Sequence, residues 1–125
     1  MKIKELKPGL SDIQLEGRVI VVESAKAIQN KEDKSIKTRK EFIIGDETGT
    51  VRVILWNTDV NVKQGDAIRI TDAWTIAYRD QVQVQAGKWS KIEKIDDKTV
   101  PPIEQIPDTM PSVPEYRVPI KRKQS

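Results

Sequence analysis

The 125-residue chain contains neither cysteine nor histidine. Without cysteine there are no disulfides, no thiolate nucleophiles and no cysteine-ligated zinc or iron–sulfur sites. Without histidine, the commonest general base and the commonest transition-metal ligand are both missing. The adjacent carboxylates of Asp46 and Glu47 lie in a turn without other converging acidic residues, which is too few ligands for a cation site. We therefore expect a protein that is not an enzyme and that binds no metal and no cofactor.

Long apolar runs are absent as well. The longest runs, Val19–Val22 and Val53–Trp56, are far shorter than the roughly 20 residues that a membrane span needs. The short basic stretch Met1–Glu5 is not followed by the apolar segment of a secretion signal. We expect a cytoplasmic protein without membrane contact. The formal net charge of +3 is too small to predict a polyanionic partner. Such a partner can be predicted only from how the charge is distributed along the chain.

Proline divides the chain into two parts. Six of the seven prolines lie beyond residue 100, and their density excludes a regular helix or a central strand there. We predict one folded domain at residues 1–100 and a Pro-rich tail at residues 101–125 that ends in the basic tip Lys121–Lys123. Whether the tail residues Ile103, Ile106 and Met110 pack against the domain is left open.

Within the first 100 residues, the apolar positions alternate with a period of two. This alternation predicts β-strands rather than helices. The expected strands are Ile13–Val22, Arg39–Ile44, Val51–Trp56, Ala67–Ile76 and Gln81–Ala86, the last of which Lys88–Ile95 extends or continues.

Two glycines indicate how these strands are connected. Gly49 in the turn Asp46–Gly49 favours a hairpin between the second and third strands. Gly17 inside the first strand predicts a bulge or a bend, which lets one long strand serve both halves of a small barrel. Five strands with a curved first strand favour a five-stranded OB-fold barrel over an immunoglobulin sandwich, which has about seven strands. We therefore predict an all-β fold of the OB type.

Only six residues are aromatic, and three of them are tryptophans. If Val51, Val53 and Leu55 face the core, Arg52 and Trp56 face outward. Trp74 has the parity of the core residues of its strand unless a bulge near Asp72 reverses the alternation. Tyr78 follows in a polar connection, at residues 75–80. The pattern leaves two positions open for Trp56 and Trp74, namely burial in the core or a cleft that they share with Tyr78. It favours burial most strongly for Trp89.

Positive charge is concentrated in one segment. Residues 24–40 carry six basic residues and two acidic ones, in contrast to the near balance of the whole chain. Such a segment next to a cleft of aromatic residues suits single-stranded nucleic acid, because bases stack on the rings while cations meet the phosphates. The same lysines also suit a solvated hairpin that is protected against aggregation.

Four segments together resemble the single-OB archaeal single-stranded DNA-binding proteins, which are related to replication protein A and to the human OB subunits that sense single-stranded DNA. The matching segments are Leu6–Leu10, Ile44–Trp56, Gly65–Ile70 and Ala73–Val84. The resemblance covers about residues 3–108 and implies base stacking by Trp56, Trp74 and Tyr78. Trp89 matches no aromatic of the family. The basic tip departs from the family, whose tails end in acidic residues, so the resemblance does not extend to partner recruitment by an acidic tip.

From the residues and this resemblance we expect a protein that binds single-stranded DNA without sequence preference in replication, recombination and repair. The candidate contact residues are Trp56, Trp74, Tyr78, Arg52, Lys34, Lys37, Arg39, Arg79 and Lys88. We expect a nucleoid-associated monomer, or one with weak self-association, that also meets replication or repair proteins. Two alternatives remain open, namely single-stranded RNA binding and a protein-interaction subunit of a larger complex.

Overall fold

The computed structural model describes residues 1–23, 26–29, 31–32, 36–57 and 61–111. Among these residues, none of the helices has the length and apolar character that crossing a membrane requires. The described strands are β1 (Ile13–Val22), β2 (Lys26–Gln29), β3 (Ile36–Asp46), β4 (Gly49–Trp56), β5 (Ala67–Tyr78), β6 (Gln81–Ala86) and β7 (Lys91–Lys94). Three single-turn 3-10 helices lie at Ile3–Glu5, Asp97–Thr99 and Ile103–Gln105.

Five of these strands close into a barrel. The hydrogen-bonded order is β1-β3-β4-β6-β5, and β5 returns to pair with β1. The β4–β6 pair is parallel and the other pairs of the barrel are antiparallel. The predicted all-β, five-stranded OB barrel is thereby confirmed.

Strand β1 serves both halves of the barrel. Residues 13–18 pair with β5, whereas residues 18–22 pair with β3. At the crossover, a Cβ on Gly17 would lie 3.1 Å from the Gly45 carbonyl oxygen and 3.2 Å from the Ile44 Cβ. Glycine therefore permits the close approach of β3 where β1 changes partners. The register irregularities of β1 lie at Ile13–Leu15 and Val19–Val21, on either side of Gly17, so the bend at Gly17 itself stays a prediction.

The core follows the alternation of the strands. On β4 the side chains of Val51, Val53 and Leu55 are fully buried, as their parity predicts. They pack with apolar residues from the other barrel strands, among them Leu15, Val19, Phe42, Ile44, Ile68, Ile70, Val82 and Val84. On the opposite face of β4, Arg52 and Trp56 remain partly exposed, whereas Thr50 and Ile54 are buried.

Two short strands extend the predicted set. Strand β2 pairs with Ile36–Arg39, the first residues of β3, and β7 pairs with Ile68–Thr71 of β5. The expectation that Lys88–Ile95 extends or continues β6 is confirmed in part. Strand β7 follows β6 along β5 in the same direction, since Gln85 pairs with Trp74 and Lys91 with Thr71, but a β-turn at Gly87–Ser90 interrupts the strand between them. The single apolar residue of β7, Ile92, gives too little alternation to reveal a separate strand.

Arg18 fastens the chain segment after the barrel to β1. Its alternation with Ile13 and Leu15 predicts an exposed side chain, but Arg18 is only 7% exposed. The guanidinium donates hydrogen bonds to the carbonyl oxygens of Gly65, Asp97, Val100 and Pro101 and to the Asp97 carboxylate. These acceptors compensate for the burial of the charged group.

The first part of the Pro-rich segment also packs on the barrel. The Thr50 N–H donates to the Thr109 carbonyl at 2.8 Å, and the Val82 N–H donates to the Pro111 carbonyl at 3.1 Å. The Ile106 side chain lies so close to Gly45 that a Cβ there would be 2.4 Å from the Ile106 Cγ2. The division at residue 100 stays a prediction, and residues 112–125, with the basic tip, lie outside the described residues.

Asp46 has a structural place in the hairpin. Its carboxylate accepts hydrogen bonds from the backbone N–H of Ile3 at 2.9 Å and from the N–H and hydroxyl of Thr48 at 2.7 and 2.5 Å. Asp46 therefore ties the N-terminal turn to the β3–β4 connection.

Candidate nucleic-acid interface

The outer face of the sheet formed by β4, β6 and β5 carries the candidate aromatic residues. Parallel pairing sets Arg52 of β4 beside Gln83 and Ile54 beside Gln85. Antiparallel pairing then continues each row onto β5, where Gln83 meets Ile76 and Gln85 meets Trp74. Because side chains opposite each other in register share a face, these rows form one continuous surface. Trp56 lies at one end of this surface, and Tyr78, opposite Gln81, lies at the other.

A β-bulge turns Trp74 outward. Ile13 pairs with Ala73 and Leu15 with Ile70, so one residue of β1 faces two residues of β5 between these pairs. Asp72 takes the left-handed conformation there, with φ of 56°. Past the bulge Ala73 is buried and Trp74 is 39% exposed. Exposure of Trp74 requires a bulge near Asp72, and the strand pairing confirms that bulge.

Two glutamines of β6 lie in the rows that connect β4 with β5 on the outer face. Gln83 and Gln85 are both buried, although they lie on the outer face. The Gln85 Oε1 accepts a hydrogen bond of 2.7 Å from the Trp56 Nε1. This bond fixes the half-buried indole, whose ring also has the Arg39 guanidinium above it, 5.8 Å from the centroid. In the sequence these glutamines are only the polar residues of an alternating strand. Their position beside the aromatic residues becomes visible only when the pairing of β6 with β4 and β5 is known.

Tyr78 belongs to a strand rather than to a loop. The prediction of a connection at residues 75–80 is wrong, because β5 continues to Tyr78 and reverses into β6 through Arg79 and Asp80 alone. Polar residues dominate this stretch because one face of the hairpin is exposed to solvent. Tyr78 is 49% exposed, and the Arg79 guanidinium lies 5.5 Å from its ring centroid.

Two candidate arginines are held by carboxylates. Arg52 Nη1 lies 2.8 Å from a Glu23 carboxylate oxygen and 2.7 Å from one of Glu41. The other Glu41 oxygen lies 2.7 Å from Arg39 Nη1. The hydrogen bond to Glu23, followed by that to Glu41, raises the pKa of Arg52 above its ordinary value. Both arginines are thus partly neutralised, an arrangement that sequence reasoning missed because it depends on how β3 and β4 align.

A cleft of about 490 Å³ brings several candidates together. Its lining residues are Arg39, Glu41, Arg52, Tyr78, Arg79, Asp80, Gln81 and Gln83. A larger cavity of about 840 Å³ lies between residues 3–8, Thr48 and residues 109–111, and no candidate residue lines it. Its walls carry no exposed aromatic ring, so we assign the interface to the smaller cleft and the aromatic face beside it.

Two further candidates, Lys37 and Lys88, lie outside this cleft. Lys37 is exposed on the part of β3 that pairs with β2. Lys88 is in the Gly87–Ser90 turn, and Lys34 lies outside the described residues. The expected burial of Trp89 is wrong, since this side chain is 83% exposed. It occupies the turn rather than a strand, and therefore no sheet face covers it.

Comparison with known proteins gives a consistent result. A family model described as single-stranded DNA binding protein Ssb-like, OB fold, matches residues 6–94. The chain is 36% identical over 115 residues to the single-stranded DNA binding protein Ssb of Saccharolobus solfataricus, which covers 91% of this chain and 76% of that protein.

Solved structures agree on the fold. The second OB-fold domain of replication protein A from Methanococcus maripaludis is 26% identical, with a TM-score of 0.66 over 77% of this chain and 94% of that one. An OB domain from Thermoplasma acidophilum, at 19% identity, has a TM-score of 0.65 over 77% and 86% of the two chains and shows likeness of fold alone. With its barrel, its outer aromatic face and these matches, the chain belongs to the Ssb-like, OB-fold family of single-stranded DNA binding proteins.

Proposed function

We propose that this protein binds single-stranded DNA without marked sequence preference and covers it during replication, recombination and repair. The observation that carries the proposal is the outer face on which Trp56, Trp74 and Tyr78 present their rings beside a cleft that contains three arginines. Family membership supports it, since the relative from Saccharolobus solfataricus is named for the same activity.

Stacking explains why the binding tolerates any sequence. Every base has a π-face, and each base–aromatic stack contributes about 1–3 kcal/mol. Trp56 and Trp74 lie two strands apart and two residues out of register, about 12 Å, and Trp74 and Tyr78 lie four residues apart along β5, about 13 Å. Each gap corresponds to about three to four base steps of 3.4 Å. A strand that contacts all three rings therefore fits the site size of about 4–16 nucleotides for one OB fold.

Cations supply the part of the affinity that depends on salt. Arg79 beside Tyr78 and Lys88 beside Trp89 lie next to aromatic rings, and Lys37 is exposed near the Trp56 end of β3. Arg39 and Arg52 contribute less than their number suggests, because Glu41 and Glu23 already pair with them. Cations that contact phosphates release counterions, so affinity falls as salt rises.

The same proposal makes the protein a binding protein rather than an enzyme, acting in the cytoplasm on the nucleoid. Monomeric binding suffices for it, because the three rings lie on one chain. Replication or repair proteins remain proposed partners.

The decisive experiment is a titration of intrinsic tryptophan fluorescence with oligo-dT at several salt concentrations. Stacking on Trp56 and Trp74 should quench the emission, and the logarithm of affinity should fall linearly with the logarithm of salt. Double-stranded DNA of the same length is the control and should bind weakly. Absence of both quenching and salt-dependent binding would overturn the proposal. A matched RNA oligonucleotide that competes better than the DNA would assign the protein to single-stranded RNA instead.

A further inference from the structure

We propose that the Gly87–Ser90 turn extends the binding surface, with Trp89 stacking on a further base and Lys88 meeting the adjacent phosphate. This inference rests on the proposed function and adds a contact that the three aligned rings do not supply. Trp89 is the most exposed large hydrophobic side chain in the described part of the chain, at 83%. Single exposed apolar residues are common on protein surfaces, so exposure alone would not suffice.

The position of the turn supplies the first further argument. Gly87 lies directly against the Trp74 ring, since a Cβ on Gly87 would be 3.4 Å from Trp74 Cη2. Trp89 follows two residues later, at most about 7 Å along the chain. The backbone of Trp89 is therefore close to the Trp74 ring, so a strand that leaves Trp74 on this side has an exposed indole within a short segment.

The hydrogen bonds of the turn supply the second argument. The Ser90 N–H donates to the Gly87 carbonyl at 3.0 Å, which places Lys88 and Trp89 at the two central positions. The Ser90 hydroxyl accepts from the Gly87 N–H at 3.0 Å and donates to the Asp72 carbonyl at 2.7 Å. Asp72 is the bulge residue that turns Trp74 outward. One small group of contacts therefore fixes the backbone that carries both tryptophans, which lowers the entropic cost of ordering the turn on binding.

Charge gives the third argument. The Lys88 ammonium lies 5.4 Å from the centroid of the Trp89 ring, over one of its faces. A base can take the opposite face, or can displace Lys88 toward a phosphate. An aromatic ring with an adjacent cation is the arrangement by which single-stranded nucleic acid is held without sequence readout. The partner favoured by this pair is thus the same strand that contacts Trp74.

The test uses the fact that the chain has three tryptophans. The double variant Trp56→Phe/Trp74→Phe leaves Trp89 as the only indole and keeps aromatic rings at both other positions. Titrated to saturation with oligo-dT of about 16 nucleotides, the upper end of the site size, it should show quenching of Trp89. Binding followed separately, through a dye on the oligonucleotide, establishes that saturation is reached.

Affinity measurements on the otherwise unchanged chain complete the test. Trp89→Ala should weaken binding by about 5- to 150-fold, the equivalent of about 1–3 kcal/mol, while the matched control Trp89→Phe keeps most of the affinity. Lys88→Gln should make the salt dependence shallower by about 0.7 in log–log slope. If the unaltered protein binds but Trp89 emission does not change and Trp89→Ala binds as tightly, the inference is overturned and the proposed function stands. If the unaltered protein does not bind, the proposed function fails and the inference fails with it.

Discussion

Replacement of Glu41 by glutamine should strengthen DNA binding, although the residue lies inside the proposed interface. The Glu41 carboxylate contacts both Arg39 and Arg52 at 2.7 Å, and its side chain is only 15% exposed. With Glu23, two carboxylates oppose two guanidinium groups in the cleft. In Glu41→Gln, Arg52 keeps Glu23 as a partner, whereas the charge of Arg39 becomes available to a phosphate.

The magnitude follows from two contributions. A carboxylate about 4 Å from a phosphate repels it by about 1 kcal/mol in water and by more where solvent is partly excluded. Removing that repulsion should raise affinity by about fivefold or more. One additional cation on the single strand should also steepen the log–log salt dependence by about 0.7. Lowering salt from about 200 to about 50 mM should then increase the advantage of the variant a further 2.6-fold, approximately.

Fluorescence anisotropy with labelled oligo-dT across a salt series measures both quantities. Glu16→Gln is the matched control, because Glu16 also holds an arginine, Arg69, at 2.7 Å but does not line the cleft. It should leave the salt dependence unchanged. Weaker binding by Glu41→Gln with an unaltered slope would refute the reasoning, since Glu41 would then serve to position the arginines for phosphate rather than to neutralise them. Thermal melting of both variants establishes that each remains folded.

Four other substitutions test the site and the fold. Trp56→Ala and Trp74→Ala should each weaken oligo-dT binding by about 1–3 kcal/mol in anisotropy titrations, because each loses one stack. Loss of the fold in either variant would contradict the assignment of that indole to the outer surface. Lys37→Gln should make the salt dependence shallower by about 0.7, and an unchanged slope would remove Lys37 from the interface. Arg18→Met should cost more than about 3 kcal/mol in urea denaturation, because four carbonyl oxygens lose a charged donor. The half-exposed Arg69 is its control, and Arg69→Met should cost under about 1 kcal/mol; equal losses would contradict the proposed role of the buried bonds.

The barrel was predictable because its strands alternate clearly. On β4 every second residue is a large apolar one facing the core, and the turn after Asp46 specifies the hairpin. The bulge at Asp72 was also predictable. Trp74 alternates with the core-facing residues of its strand, so it reaches the surface only if the alternation reverses. Local pattern sufficed wherever one strand face is wholly buried.

The features that could not be predicted depend on contacts distant in the chain. Arg18 alternates like a surface residue, yet its acceptors lie 47 to 83 positions away in sequence. Its burial follows from a segment that returns after the barrel is complete. The residues around Trp89 are compatible with a strand, whereas the bond from Ser90 to Asp72 holds a turn there. The pairing of Glu41 with Arg52 likewise requires the alignment of two strands.

The division of each strand into two faces explains why this fold suits the proposed site. Val53 and Leu55 fill the core while Arg52 and Trp56, their neighbours in sequence, lie on the outer face. The aromatic rings are thus held by a backbone that the buried side chains make rigid, and ordering it on binding costs little further entropy. Ile54, between those two outer residues, is only 1% exposed and pairs with the buried Gln85 of β6. The outer face is therefore closed at this row, and the positions of β4 that remain accessible to a ligand are Arg52 and Trp56.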